Sequence, residues 1–143
     1  MVVTAIDTNV LVTLLKADRP SDIQTAQAAL EQASELGALI ISPVVYAELF
    51  AVPLRDEAFL TQFLQDTRIS IEWRMTRAMW HRAALAYGAY AERRRGHKGD
   101  PGPRRILADF LIGAHASELG VRLLTFDSGL YKSAFPELEV ILL

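Results

Sequence analysis

Short runs of apolar residues alternate along the chain with longer segments in which apolar residues recur every three or four positions. The short runs predict strands, and the longer segments predict the helices between them. The predicted strands cover residues 2–6, 38–42, 68–73, 121–125 and 138–142. Strands that alternate with helices are typical of a mostly parallel sheet covered on both faces. We therefore predict an α/β fold, a three-layer α/β/α sandwich around a sheet of four to five strands.

Capping residues mark where several of the helices begin and end. Ser42 followed by Pro43 predicts an N-cap and a first helical turn, and Gly37 is placed to end the preceding helix. A long Ala-rich helix is predicted from residue 76 to about residue 94, followed by a Gly- and Pro-rich loop at 96–103. Since the pattern contains neither a repeat nor a linker, we expect residues 1–143 to form a single domain.

Composition narrows the class of protein further. A chain of 143 residues, 51% of them hydrophobic, is long enough to bury a core of its own. It contains no cysteine, which excludes disulfides and thiolate metal sites and agrees with a reducing compartment. No apolar run approaches the roughly 20 residues that span a bilayer, and the first residues do not resemble a secretory signal. We expect a cytoplasmic protein that does not enter a membrane.

Four acidic residues fall where the predicted topology brings strand ends and helix starts to one edge of the sheet. They are Asp7, Glu48, Asp109 and Asp127. Each lies close to apolar residues in the sequence, and a buried carboxylate is costly unless something compensates its charge. A cluster is costlier, because like charges repel at low dielectric. Oxygen ligands without cysteine favour a hard cation, Mg²⁺ or Mn²⁺, which can activate water against a phosphodiester.

Each acid also has a purely structural explanation. Asp7 and Asp127 each precede a predicted helix and could act as its N-cap. Asp109 could interact favourably with a helix dipole, and Glu48 could face solvent. The joint placement of all four at one edge, rather than any single residue, favours a metal site.

The ordered set of motifs around these acids resembles the PIN domain family. The motifs are Ile6-Asp7-Thr8-Asn9, Ser42-Pro43 followed by Glu48, residues 107–116, and Leu124-Thr125-Phe126-Asp127. Within the family, the length and the spacing are most similar to VapC-type ribonuclease toxins of toxin–antitoxin pairs. The resemblance covers essentially the whole chain. It implies the α/β/α fold and Mg²⁺- or Mn²⁺-dependent cleavage of RNA by an endoribonuclease.

The resemblance also implies roles for particular residues and partners. The catalytic acids and metal ligands would be Asp7, Glu48, Asp109 and Asp127, with Mg²⁺ or Mn²⁺ as the cofactor. Thr8 or Asn9 would support Asp7, and Thr125 would lie close to the metal pocket. The family further implies a homodimer and a small cognate antitoxin protein whose C-terminal segment blocks the acids.

Six basic residues lie between positions 93 and 105 of a chain whose net charge is −2. They are Arg93, Arg94, Arg95, Lys98, Arg104 and Arg105. Asp100 is the one acidic residue in the same stretch, so residues 93–105 have a net charge of +5. An RNA backbone requires such a cationic track, above all beside an acidic centre, so we predict that these residues bind RNA. The alternative is a solvated helix end followed by a mobile loop.

The predicted helices between residues 43 and 66 have more apolar side chains than one sheet needs. These side chains belong to Tyr46, Leu49, Phe50, Phe59, Leu60 and Phe63. They could form ordinary core. They could also form a face for a second copy of the chain or a groove for a partner helix.

Three other classes of protein compete with the nuclease interpretation. Haloacid-dehalogenase-like phosphatases need a second aspartate two residues after the first, where this chain has Asn9. Receiver domains of response regulators have their phosphoacceptor at a later strand end, and here Ser42 occupies the end of the second strand. The remaining alternative is a catalytically silent RNA-binding or scaffold protein on the same fold. A pure binder, however, has no use for a negative cluster in front of phosphates.

Overall fold

The computed structural model describes residues 1–17 and 19–143, and the side chain of Ser128 lies outside that description. The strands are β1 (Thr4–Ile6), β2 (Leu39–Ile41), β3 (Ile69–Ile71), β4 (Arg122–Thr125) and β5 (Val140–Leu142). The helices are α1 (Thr8–Lys16), α2 (Pro20–Leu36), α3 (Pro43–Leu49), α4 (Glu57–Asp66), α5 (Arg77–Gly96), α6 (Leu107–Leu119) and α7 (Ser128–Ala134). Each strand lies within its predicted range and is one to three residues shorter.

The sheet has the strand order β3-β2-β1-β4-β5, and every pairing among the described residues is parallel. The central strand β1 pairs Ala5 with Ile40 of β2 on one side and with Leu123 of β4 on the other. The chain fills the sheet outward from β1 to β3 and then returns to the other side of β1 for β4 and β5. The crevice beyond the carboxyl ends of β1 and β4 is therefore the topological switch point, where open α/β sheets bind ligands. The predicted α/β/α sandwich is confirmed.

The strand β1 and the helix that follows it lie in the centre of the core. Ala5 and Ile6 are 4% and 1% exposed, and Val10 and Leu11 of α1 are fully buried. Burying a side chain of this size contributes about 1.5–3 kcal/mol. The backbone pairing with β4 continues one residue beyond β1, since the Asp7 N–H donates to the Leu124 carbonyl at 2.9 Å. The position of Asp7 is therefore determined by the core of the protein.

Two helices end at glycine for different physical reasons. Gly120 ends α6 with a φ of 68°, the left-handed conformation that favours glycine. Gly37 ends α2 as predicted, but its φ of 162° is an extended conformation open to any residue. A side chain at Gly37 would clash with the backbone of Val2. Glycine is needed there because the chain leading into β1 passes so closely.

The longest helix, α5, leads into the basic segment. The Thr76 hydroxyl caps its start by accepting the Met79 N–H at 3.2 Å, and the helix packs against α6. Its last turn contains Arg93, Arg94 and Arg95, where the negative end of the helix dipole favours positive charge. None of the helices in the described ranges is both long and apolar enough to cross a membrane.

Candidate active site

Asp7 directly follows β1 and is the most buried of the four predicted acids, with 5% of its surface exposed. Its Oδ1 accepts the Thr8 N–H at 2.7 Å, and its Oδ2 accepts the Thr125 hydroxyl at 2.7 Å. Burial raises the pKa of Asp7 to about 6, although hydrogen bonds from Thr125, Tyr131 and Thr8 oppose the rise. Asp7 is therefore a carboxyl group held in one orientation in a place that disfavours its charge.

Glu48 lies on α3 and is linked to Asp7 through Thr8. The Thr8 hydroxyl donates to Glu48 Oε1 at 2.6 Å, while the backbone N–H of the same residue donates to Asp7. Glu48 is half-buried. A single threonine at the start of α1 therefore bridges two of the predicted acids.

Asp109 and Asp127 reach the same edge from α6 and from the end of β4. Burial is the main cause that raises the pKa of Asp109, and repulsion by Asp127 adds to it. The charge of Asp109 in turn raises the pKa of Asp7. Asp127 forms an ion pair with Arg105, in which each side chain is about one-quarter exposed. Carboxylates from three separate elements are therefore close enough to feel one another's charge.

Asn9 and Thr125 join the start of α1 to the end of β4. The Asn9 side chain accepts the Phe126 N–H at 3.2 Å and donates to Thr125 Oγ1 at 3.4 Å. Thr125 Oγ1 also accepts the Asp127 N–H at 2.9 Å, while its hydroxyl donates to Asp7. The three supporting residues named from the sequence, Thr8 included, therefore all contact an acid or the backbone beside one.

One of the two proposed N-caps, Asp7, does cap its helix, and Asp109 accepts a backbone N–H at the start of another. Asp7 caps α1 through the Thr8 N–H, and Asp109 accepts the Ile106 N–H at 3.2 Å before α6. Asp127 stands at the N-cap position of α7, yet its side chain makes no capping bond within the described part of the chain. Because each capping bond occupies one carboxylate oxygen, capping leaves a second oxygen for another partner.

Tyr131 belongs to this site although the sequence analysis did not single it out. It lies on α7 and is 1% exposed, and its phenol, as a hydrogen-bond donor, lowers the pKa of Asp7. Burial and then the negative charge of Asp7 raise the pKa of its phenol, which therefore stays protonated and acts as a donor. The sequence contains no signal for this role, because a lone tyrosine on a short apolar helix is equally typical of core.

The acids are not gathered around one point. Across residues 1–17 and 19–143, no three acidic or histidine side chains stand in an arrangement that could hold a metal ion. Each predicted ligand is instead engaged by an internal donor: Asp7 by Thr8 and Thr125, Glu48 by Thr8, Asp109 by Ile106, and Asp127 by Arg105. The donor set itself, all carboxylate oxygens that repel one another, fits a hard divalent cation.

The six predicted RNA-binding residues fall into two groups. Arg94 donates to the Gly102 and Pro103 carbonyls at 3.1 and 3.3 Å, Arg95 pairs with Glu92, and Arg105 pairs with Asp127. The other three are Arg93, Lys98 and Arg104, which are exposed and make no side-chain hydrogen bond or ion pair within the described residues. The positive charges of these three side chains are available to a ligand.

Comparison with solved structures identifies related folds. A chain in the structure of VapBC2 from Rickettsia felis, bound to a DNA fragment from their promoter, is 19% identical, with 97% of each chain covered and a TM-score of 0.68. A chain of a toxin–antitoxin complex from Klebsiella pneumoniae is 18% identical over 96% of this chain and 95% of that chain, with a TM-score of 0.65. For VapBC-1 from nontypeable Haemophilus influenzae the identity is 21%, the coverage 98% and 97%, and the TM-score 0.59.

Comparison with curated proteins gave no match. The similarity to the three solved structures is one of fold, since their sequence identities lie near 20%. The sequence comparison with protein families is more specific, because residues 4–136 match the PIN domain. This range contains all four acids and the whole of the basic segment. The chain therefore belongs to the PIN domain family, whose members are generally nucleases.

Proposed function

We propose that this protein is a Mg²⁺- or Mn²⁺-dependent endoribonuclease that hydrolyses RNA phosphodiester bonds. The observation that supports this most strongly is the convergence of Asp7, Asp109 and Asp127 at the switch point of a PIN domain, where burial raises the pKa of Asp7 and of Asp109. Three elements bring carboxylates to one edge of the sheet at an energetic cost, which a bound divalent cation would offset. When bound, such an ion activates water for attack on the phosphate and stabilises the charge that develops there.

Four acidic residues of the chain would hold the ion. Asp7, fixed by the Thr8 N–H and the Thr125 hydroxyl, is the central ligand. Asp109 and Asp127 complete the ligand set, Asp109 through the oxygen that does not accept the Ile106 N–H and Asp127 once its pair with Arg105 is weakened. Glu48 is the fourth acid, positioned by the Thr8 hydroxyl. Hydrolysis of a phosphodiester also requires that the RNA backbone be held, which is a separate task.

We assign RNA binding to the exposed basic residues of the segment that precedes α6. Arg93, Lys98 and Arg104 have no internal partner within the described residues, so their charges are available to backbone phosphates. Arg94 instead holds the loop in place through the Gly102 and Pro103 carbonyls. Arg105 starts out bound to Asp127.

The further proposal is that the protein is the toxin of a type II toxin–antitoxin system. The three similar folds described above come from VapBC and toxin–antitoxin complexes, which supports an antitoxin partner here. We also propose that residues 1–143 act as one nuclease domain, in the cytoplasm, as a homodimer.

The apolar surface around α3 supports binding of a partner chain. Phe50 and Phe59 are 44% and 42% exposed, and Tyr46 packs edge-on against Phe50 and Trp73. Leu49 and Leu60, which the sequence analysis grouped with them, are instead 0% and 1% exposed and belong to the core. A monomeric sedimentation coefficient at micromolar concentration would contradict the homodimer.

The decisive experiment measures cleavage of an RNA pool by purified protein in Mg²⁺, in Mn²⁺ and in EDTA, with mapping of the cut ends. We expect cleavage that requires the metal and that Asp7→Asn or Asp109→Asn reduces about a thousandfold, because loss of a metal ligand removes several kcal/mol of transition-state stabilisation. Asp66→Asn, at the exposed end of α4, is the matched control and should cleave like the wild type.

Two results would contradict the nuclease assignment. Full activity in both Asp7→Asn and Asp109→Asn would mean that the acids do not bind the catalytic ion. Cleavage that persists in EDTA would contradict the metal dependence, and no cleavage of any RNA together with tight RNA binding would favour the RNA-binding or scaffold alternative.

A further inference from the structure

Two consecutive residues at the end of the basic segment engage two of the proposed metal ligands. The Arg105 guanidinium donates from Nη1 to Asp127 Oδ2 and from Nη2 to Asp127 Oδ1, the second bond being 3.3 Å long. The next residue, Ile106, donates its N–H to Asp109 Oδ2 at 3.2 Å. Both carboxylate oxygens of Asp127 are therefore occupied by one side chain.

The position of Arg105 is enforced by α5. Its backbone N–H donates to the Tyr90 hydroxyl at 2.6 Å, and the Tyr90 ring packs against Phe110. About one helical turn after Tyr90, Arg94 donates to the Gly102 and Pro103 carbonyls. The segment is therefore attached to α5 at Gly102 and Pro103 and again at Arg105. These contacts place the Arg105 guanidinium beside Asp127.

A guanidinium and a divalent cation compete for the same carboxylate oxygens. A two-bond pair between arginine and a carboxylate uses both oxygens in a planar, geometrically specific arrangement. The pair with Asp127 is about three-quarters buried, so water screens it less than a pair on the open surface. Because the guanidinium already holds both oxygens, an ion that binds Asp127 has to weaken or displace this pair.

We propose that Arg105 is a positioning residue that acts through Asp127 and competes with the divalent cation for that carboxylate. This inference rests on the proposed function, since it takes Asp127 to be a metal ligand. The pair neutralises Asp127 while the ion is absent and raises the concentration of ion needed to load the site. Loading the site releases the guanidinium at the place where the RNA phosphate has to bind, so binding of metal and of RNA should favour each other.

The test is a Mn²⁺ titration without RNA, followed by the electron paramagnetic resonance signal of the free ion. Arg105→Gln should bind Mn²⁺ about three- to tenfold more tightly than the wild type, the range expected when a partly buried competing pair is removed. Arg105→Lys, which keeps the charge but cannot form the two-bond pair, should lie between them. Arg104→Gln is the matched control for loss of a nearby positive charge and should change the affinity less than twofold. Circular dichroism verifies that each variant is folded.

The possible results separate this inference from the proposed function. Equal or weaker Mn²⁺ binding by Arg105→Gln overturns the inference and leaves the nuclease proposal standing, provided that Asp109→Asn still abolishes binding. An equal gain in Arg104→Gln also overturns it, because simple charge removal would then explain the effect. If neither the wild type nor Arg105→Gln binds Mn²⁺, the metal site is wrong and the inference falls with it.

Discussion

The two sides of the acidic site are built in opposite ways. On the β1 side, Asp7 is 5% exposed and held by the Thr8 N–H and the Thr125 hydroxyl, both at 2.7 Å. On the β4 side, Asp127 is about one-quarter exposed and held by the side chain of Arg105, which comes from a loop. The first carboxylate is fixed by one backbone N–H and one buried hydroxyl of the core. The second is fixed by a contact that can be exchanged.

The difference shows how one site can be both preorganised and controllable. Fixed donors around Asp7 orient a ligand before any ion arrives, but they leave its charge only partly compensated, as its pKa of about 6 indicates. At Asp127, in contrast, a guanidinium of opposite charge holds both carboxylate oxygens. An ion would therefore gain most from contact with Asp7 and would have to displace a competitor at Asp127. Substitutions on each side separately test whether the two carboxylates differ in this way.

The largest effect is expected from Asp7→Asn on the stability of the metal-free protein. Below about pH 3.8 the carboxyl is protonated in folded and unfolded chains alike, and from there to about pH 6 it is protonated mainly in the folded chain. Stability from this group is therefore lost as the pH rises through about 6. At pH 7 the neutral asparagine should make the protein more stable by roughly 2–3 kcal/mol.

Urea unfolding in EDTA at several pH values measures this gain. The advantage of Asp7→Asn over the wild type should grow between pH 4 and pH 7. Asp127→Asn is the contrasting variant, because it removes the partner of Arg105 and should lower stability by up to about 1 kcal/mol. The same sign of effect in both variants would show that the two sides are not built differently.

A smaller effect is expected from Tyr131→Phe, which keeps the ring in the core and removes one donor to Asp7. Loss of a hydrogen bond to a charged acceptor should raise the pKa of Asp7 further and weaken Mn²⁺ binding by about 1 kcal/mol, or roughly fivefold. The control is Tyr87→Phe, whose ring is 39% exposed and stacks on Tyr90 at 6.3 Å. Unchanged Mn²⁺ affinity in Tyr131→Phe would mean that Asp7 is oriented without the phenol.

The smallest effect is expected on RNA binding by the loop that carries Arg105. Arg104→Gln should weaken binding of single-stranded RNA about two- to fivefold and reduce the salt dependence by about 0.7, the value for one phosphate contact. Arg68→Gln makes the same charge change before β3, at the amino edge of the sheet, and should leave RNA binding unaltered. Filter binding at several salt concentrations distinguishes the two, and equal losses would place the RNA elsewhere.

Much of the fold followed from local patterns. The alternation of apolar runs with helical periodicity predicted the five strands, and Ser42-Pro43 predicted a helix start that the structure confirms. Gly37 shows where local reasoning stops. It ends α2 as predicted, yet glycine is required by the approach of Val2, which is 35 positions away in the sequence.

The same distinction between local pattern and tertiary contact applies to the candidate site. The acids could be found because parallel strands with right-handed crossovers bring their carboxyl ends to one edge, so chain order alone predicts which residues converge. The partners of those acids could not be found. Tyr131 is four positions beyond Asp127 in the sequence, yet its phenol acts on the carboxylate of Asp7, more than 120 positions away.

By itself, the sequence determined the α/β architecture, the edge at which the acids meet and the basic segment beside them. Hydrophobic periodicity and charge are properties of neighbouring residues, which folding leaves intact. Only the tertiary structure decided that Arg105, one of six similar basic residues, pairs with Asp127 while Arg104 stays exposed. That choice depends on the path of a loop attached to Tyr90 and on directions of side chains, which no pattern along the chain records.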